Sequence, residues 1–214
     1  MSPLRERLPL PLHTKDFLDP RRAALVMWDM QNGLAGRAPR VGSIRDNALK
    51  LLEAAERHGL PVIWSRHVLP PLHLTTGPFL LFLMKKQKVD HPDKLVATMQ
   101  SGMEDTNFID GLMPKPHHIV LEKSQPSLFV DTPLDLRLKT LGIDTLIICG
   151  VATDIGIEFT CRHAAALGYF TVAVEDASGA YSDEAHERSL AFLRNWITPV
   201  VNTATVCQTL DEPR

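Results

Sequence analysis

The sequence predicts an α/β protein in three layers, with a six-stranded parallel sheet covered by helices on both faces. Two observations predict it. Short apolar runs of strand length alternate along the chain with stretches of helical periodicity, which is the signature of parallel strands joined by helical crossovers. The runs are continuously apolar rather than alternating, as expected of strands buried on both faces. Crossovers should be right-handed; strand order does not follow from the sequence.

The elements are taken in order. Residues 1–20 read as an irregular arm preceding a single domain, 21–214. They carry charges and prolines but no apolar stretch of the kind a secretory leader needs. Ala23-Ala24-Leu25-Val26-Met27-Trp28 is the first strand and ends at Asp29, a carboxylate at a strand's carboxyl end, where ligands of open α/β sheets bind. The following Met30-Gln31-Asn32-Gly33 also reads as an ordinary turn. Residues 43–58 form a helix that Ser43 can cap, with Ile44, Ala48, Leu51, Leu52 and Ala55 on one face and Gly59 closing it. Pro61-Val62-Ile63-Trp64-Ser65 is the second strand. Arg66 and His67 follow it and could receive an anionic group or simply face solvent.

Residues 68–116 are irregular, interrupted by Pro70, Pro71, Pro78, Pro92, Pro114 and Pro116. Short helices are expected over 79–84 and 95–103. The segment exposes Leu, Phe and Met residues that need cover, so it forms a lid, a subunit contact or a self-packed crossover. His117-His118-Ile119-Val120-Leu121 is the third strand, followed by Glu122 and Lys123. Adjacent strand residues face opposite ways, so the two histidines should not share a metal ion, and no metal site is expected. A loop and a helix over 127–141 follow, with Asp131 or Thr132 as cap and Leu134, Leu136, Leu138 and Leu141 as apolar contacts.

Leu146-Ile147-Ile148-Cys149-Gly150-Val151 is the fourth strand. The chain turns at Gly150 and restarts as a helix, with Thr153 or Asp154 as the expected cap, running to about 167. Such a strand-turn-helix elbow offers unpaired N–H groups and is the first candidate for an active site. Phe170-Thr171-Val172-Ala173-Val174 is the fifth strand, a helix capped by Asp183 runs through Arg194, and Val200-Val201 and Ala204-Thr205-Val206 suggest a sixth short strand and its exit.

Charged residues make up 22% of the 214-residue chain and the net charge is −2, so nucleic acid is not an expected partner. No apolar run approaches the roughly 20 residues that span a bilayer, so no membrane partner is expected. Cys149, Cys161 and Cys207 are widely spaced and odd in number, which fits neither a disulfide framework nor a zinc knuckle and suggests the cytoplasm.

With Asp29-Met30-Gln31-Asn32, Lys123 and Gly150-Val151-Ala152-Thr153-Asp154-Ile155 in this order, the chain resembles the isochorismatase-like hydrolases, also called cysteine hydrolases, over about residues 20–207. The resemblance implies a Rossmann-like six-stranded sheet, a homo-oligomer (dimer or tetramer), a small-molecule substrate and no cofactor. It also implies an Asp–Lys–Cys triad in the amidase members. Matched residue by residue, Asp29 is the proton-transfer carboxylate and Lys123 its partner. The nucleophile's place directly after Ile155 is taken by Gly156. Val151-Ala152 would be joined by a cis peptide. Gln31, Arg66, His67, Val151 and Ala152 are the candidate substrate contacts, with N–H groups near Ala152 and Gly156 polarising the substrate or orienting water.

Glycine at this place is similar to the true isochorismatases, which cleave a vinyl ether, whereas Ala152 and Asp154 look like an amidase's elbow. Without a thiolate there is no thioester route, and the expectation is Asp29 acid/base catalysis with water attack, open volume standing where the thiol was. Cys161, more than a turn further along the helix, is not expected to replace it. Two alternatives stand beside this: an amidase-derived binding protein without turnover, and a glycine introduced into a working cysteine amidase.

Overall fold

A computed structural model describes residues 10–213. Six parallel strands, β1 (Ala23–Trp28), β2 (Val62–His67), β3 (Ile119–Lys123), β4 (Thr145–Val151), β5 (Phe170–Gly179) and β6 (Val200–Val201), form one sheet in the order β3-β2-β1-β4-β5-β6. The chain winds outward from β1 in one direction and from β4 in the other. The crevice where the order reverses lies beyond the carboxyl ends of β1 and β4, the place where such sheets bind ligands.

Both faces of the sheet are covered. Leu25, Met27, Ile147 and Cys149 point to a core shared with α2 (Val41–Arg57) and α7 (Thr203–Asp211), against which α1 (Thr14–Phe17) also lies. Ala24, Val26, Trp28, Leu146 and Ile148 point the other way, toward α4 (Leu134–Leu141), α5 (Glu158–Ala166) and α6 (Asp183–Asn195). The period of two within continuously apolar strands explains both the pattern and its burial. A third, smaller cluster of Leu69, Leu83, Leu95 and Met99 holds α3 (Gly77–Gln87) and its flanking loops over the crevice.

Several boundaries differ from expectation, each for a local reason. α2 begins at Val41, with Arg40 left-handed at the cap, and Ser43 Oγ donates to Arg40 O instead of capping. β2 runs on through Arg66 and His67 because they pair with Glu122 and Lys123 of β3, which starts only at Ile119. β5 extends to Gly179, since after an irregularity Gly150 and Val151 of β4 pair with Ser178 and Gly179. Residues 204–206 belong to α7, which Asn202 caps by accepting from Thr205 N. Residues 95–103 form no helix, and Leu136 and Leu141 of α4 are exposed while Leu134 and Leu138 are buried. Ser182, not Asp183, caps α6.

The N-terminal segment divides. Residues 1–9 lie outside the described part, whereas Leu18 is fully buried and joins the core, so the described end of the arm packs on the domain.

Candidate active site

β1 ends at Trp28, and Asp29 turns out of the sheet in a left-handed conformation (φ 43°). Ser65 on the neighbouring β2 fixes it. The Ser65 hydroxyl accepts from Asp29 N at 2.9 Å and donates to Asp29 Oδ1. The other carboxylate oxygen accepts from Lys123 Nζ at 2.6 Å, both side chains being almost completely buried. Both Asp29 oxygens are therefore acceptors of fixed donors, the surroundings of a carboxylate.

Lys123 is equally committed. Besides Asp29 its ammonium reaches His67 Nδ1 at 3.5 Å and lies 4.5 Å from the centre of the Trp28 ring. Three partners use its three N–H directions, so it holds the site together and has none left for a substrate carboxylate. Because Nδ1 of His67 faces a cation, the ring proton sits on Nε2. Burial, then the Lys123 charge, pushes the His67 pKa down to about 4. The neutral form is thus the folded form. This histidine's contribution to stability is full above its ordinary titration near pH 6.5 and is lost as the pH falls toward 4. His67→Gln is expected to flatten the fall in urea midpoint between those values; an unchanged slope would mean that His67 does not control it.

The elbow after β4 has the peptide bond expected of it but starts its helix differently. Val151–Ala152 is a cis peptide, and residues Thr153–Ile157 make a π-helical turn before α5. Neither Thr153 nor Asp154 caps the helix: Ala152 stands at that position, and Thr153 Oγ1 bonds His186 Nδ1 at 2.9 Å. Gly156 N donates to Ala152 O at 3.0 Å, so this N–H is not free for a substrate. Gly150 is demanded by packing, since a Cβ there would stand 2.0 Å from Trp28 O at a φ of 134°.

The decisive feature is what occupies the space at Gly156. A Cβ on residue 156 would fall 2.2 Å from Trp28 Nε1, 2.4 Å from Cε2 and 2.5 Å from Cζ2. The expected open volume does not exist: the Trp28 indole fills it. Among the described residues Trp28 Nε1 has no hydrogen-bond partner, and Trp28 lines the crevice. The indole N–H thus stands beside the place where the resemblance puts the thiol. Neither remaining core cysteine substitutes for it. Cys149 and Cys161 are fully buried, and burial first of all pushes both thiols up to about 12.

The crevice has a volume of about 600 Å³ and brings together Trp28, Asp29, His67, Lys123, Val151, Ala152 and Gly156. Two expected contacts are not there. Gln31 is completely buried, with Oε1 accepting from His67 N and Nε2 donating to His67 O and Thr106 O, so it clamps the strand ends. Arg66 lies on the opposite face of β2 from Ser65 and His67, stacked 4.8 Å over Phe108 and facing Glu122. The alternation of the longer β2 puts it there. The sequence reading did not single out Trp28, Ser65, Arg37, Lys86 or Tyr181 as functional.

The histidine pair also needs a new account. His117 and His118 precede β3, their ring centres lie 4.5 Å apart, and with Glu56 they offer three donor atoms within 4.8 Å. Strand alternation therefore does not separate them. The hydrogen bonds argue against ligation instead. His118 Nδ1 accepts from Trp64 Nε1 and Lys115 N, which places the proton on Nε2, 3.3 Å from Glu56 Oε1, and Lys115 Nζ holds Glu56 Oε2 at 2.6 Å. A protonated nitrogen has no lone pair for a metal.

The family model of the isochorismatase domain matches residues 23–205. The chain belongs to the isochorismatase family. The isochorismatase family protein YwoC of Bacillus subtilis (strain 168) is 31% identical over 176 residues, 82% of this chain and 87% of that one. Among solved structures, a cysteine hydrolase from Pseudomonas syringae pv. phaseolicola 1448A is 25% identical with a TM-score of 0.78, over 90% of this chain and 94% of that one. An isochorismatase family protein from Burkholderia thailandensis is 27% identical with a TM-score of 0.74, over 91% and 97%. This isochorismatase-family protein is thus a hydrolase with the family's α/β fold. Among its described residues no helix is long and apolar enough to cross a membrane.

Proposed function

We propose that the chain hydrolyses a small carboxylated or cyclic substrate without a cysteine nucleophile, Asp29 acting as general base and then general acid while water attacks. The observation that carries this reading is the Trp28 indole standing against Gly156, beside an Asp29 carboxylate held by Ser65 and Lys123. No side chain at residue 156 can form a covalent intermediate, and a buried, oriented carboxylate is suited to proton transfer. Asp29 takes a proton from water as the water oxygen bonds to the electrophilic carbon. It returns that proton to the departing atom as the old bond breaks. Lys123 and Ser65 stabilise Asp29 in the charged form it has before the first transfer and regains after the second. The Trp28 N–H supplies a donor to water or to a substrate oxygen. On the same reading the protein is a cytoplasmic homo-oligomer, a dimer or tetramer, and the exposed Leu74, Leu81 and Val96 of the 68–116 segment support a subunit contact there.

The test is turnover of a panel of amides, esters and vinyl ethers before and after iodoacetamide. Cys207, the only cysteine among the described residues with appreciable exposure, is expected to be the only one modified, and the rate to be unchanged. Inactivation traced to Cys161 would overturn the reading. Ligand binding without turnover across the panel would identify a binding protein instead.

A further inference from the structure

Two cations line the crevice outside the Asp29–Lys123 pair. Arg37 ends a short 3₁₀ turn, Ala35–Arg37, and Lys86 lies in the last turn of α3; both line the crevice. Among the described residues neither forms an ion pair with a carboxylate, nor do Arg137 and Arg188, whereas Arg21, Arg22, Arg40, Arg45, Arg57, Arg66, Arg162 and Arg194 do. Lys86 Nζ is instead held 5.1 Å over the Tyr181 ring and 5.9 Å from that of Phe82. Partial burial, then the charge of Arg37, lowers the Lys86 pKa. Both residues are exposed to solvent, and two like charges lining one cleft without an ion-pair partner make a positive rim that favours an anion.

The two carboxylates that line the crevice, Asp29 and Asp105, do not reach these cations as ion-pair partners. Asp29 is engaged by Lys123, while Asp105 accepts from Met99 N through Oδ2 at 2.8 Å and keeps Oδ1 buried without a partner; neither carboxylate forms an ion pair with Arg37 or Lys86. Much of the remaining wall is apolar, with Leu34, Phe79, Phe82, Ile155 and the Tyr181 ring among its residues. The Tyr181 hydroxyl is also available as a donor, since burial first, and then Asp29, push it up to about 12 and keep it neutral.

We propose that Arg37 and Lys86 form an anion subsite, and that the substrate is a carboxylate on an apolar body, its anionic end at these two residues and its scissile bond at Asp29. This deepens the hydrolase reading and rests on the same cleft. Because Arg37 belongs to the body and Lys86 to α3, the substrate's own carboxylate would tie α3 down over the sheet end. A neutral analogue would fill the cleft without making that link.

The experiment compares 3-phenylpropionate with 3-phenylpropionamide, and cyclohexanecarboxylate with its carboxamide, by calorimetric titration of the full chain. The carboxylates are expected to bind about tenfold more tightly than the amides, the ordinary advantage of charge-assisted contacts at a partly exposed site. The preference should shrink with added salt. In R37Q/K86Q it should disappear while amide affinity stays the same. In D29N it should persist, because binding is read without turnover; a failure of hydrolysis is therefore distinct from a failure of the subsite. Equal binding of acid and amide, a preference that survives R37Q/K86Q, or no binding by any member of the set would overturn the proposal.

Discussion

Asp29→Asn is expected to lower kcat by about 10³-fold, within the range of removing a positioned acid–base group, with a smaller change in KM. The substitution is nearly isosteric. The amide oxygen can still accept from Lys123, and the amide nitrogen can meet the Ser65 oxygen, so the placement of residue 29 is kept. What is lost is the ability to take a proton from water and return it. Stability should also fall, because Lys123 is buried and its charge would face only a neutral amide, the Trp28 ring and His67. Removing one partner of a buried pair commonly costs about 3 kcal/mol or more, and the retained hydrogen bond places this variant at the low end.

The double variant D29N/K123M separates the two effects. Removing the orphaned charge should restore much of the stability measured in urea without restoring turnover, a non-additivity expected of residues in contact. If D29N kept more than a tenth of the wild-type kcat, Asp29 would not be the proton-transfer group.

How much of this was legible in the sequence depends on the range of the interaction. The strands and most helices are written locally, in runs such as Leu146-Ile147-Ile148 and in the periodicity of residues 44–55, and the structure places them as read. Ends that depend on a partner strand are not written locally. β2 extends to His67 because β3 pairs with it there, and that extension turns Arg66 away from the crevice.

The pairing of Asp29 with Lys123 was anticipated through resemblance, since 94 residues separate them and no local pattern joins them. Ser65 escaped notice because its role depends on the register that sets β2 beside β1. Gln31 sits in the matched motif, yet its neighbours in space are backbone groups of residues 67 and 106. The relation of Trp28 to Gly156 had a visible sign, a very large residue at one strand end and the smallest at the other. It becomes evidence only once the order β1 beside β4 is known.

That relation makes the second large prediction: Gly156→Cys alone will not regenerate a cysteine amidase. The added Cβ would already lie 2.2 Å from the Trp28 indole nitrogen before the sulfur is counted, and the ring is fully buried. Forcing atoms into such a site commonly costs 1–3 kcal/mol and sometimes more, so a loss of about 3 kcal/mol in urea unfolding is expected. Turnover should drop about 10²-fold, because the ring that must move packs against Lys123 and directly precedes Asp29, and small misplacements near the reacting groups are expensive in rate.

Trp28→Val combined with Gly156→Cys removes the collision while keeping a strand-forming residue at the end of β1. In that variant the thiol would open onto the crevice at the start of a helix, near the Lys123 ammonium, surroundings that favour thiolate. Residue 156 should then be the fastest site of iodoacetamide labelling by peptide mass spectrometry, and ester or amide hydrolysis should become sensitive to alkylation. Should Gly156→Cys by itself fold as stably as the parent and release ammonia from amides, the indole does not occupy that space in solution, and the glycine is a simple loss of the nucleophile rather than one half of a fitted pair.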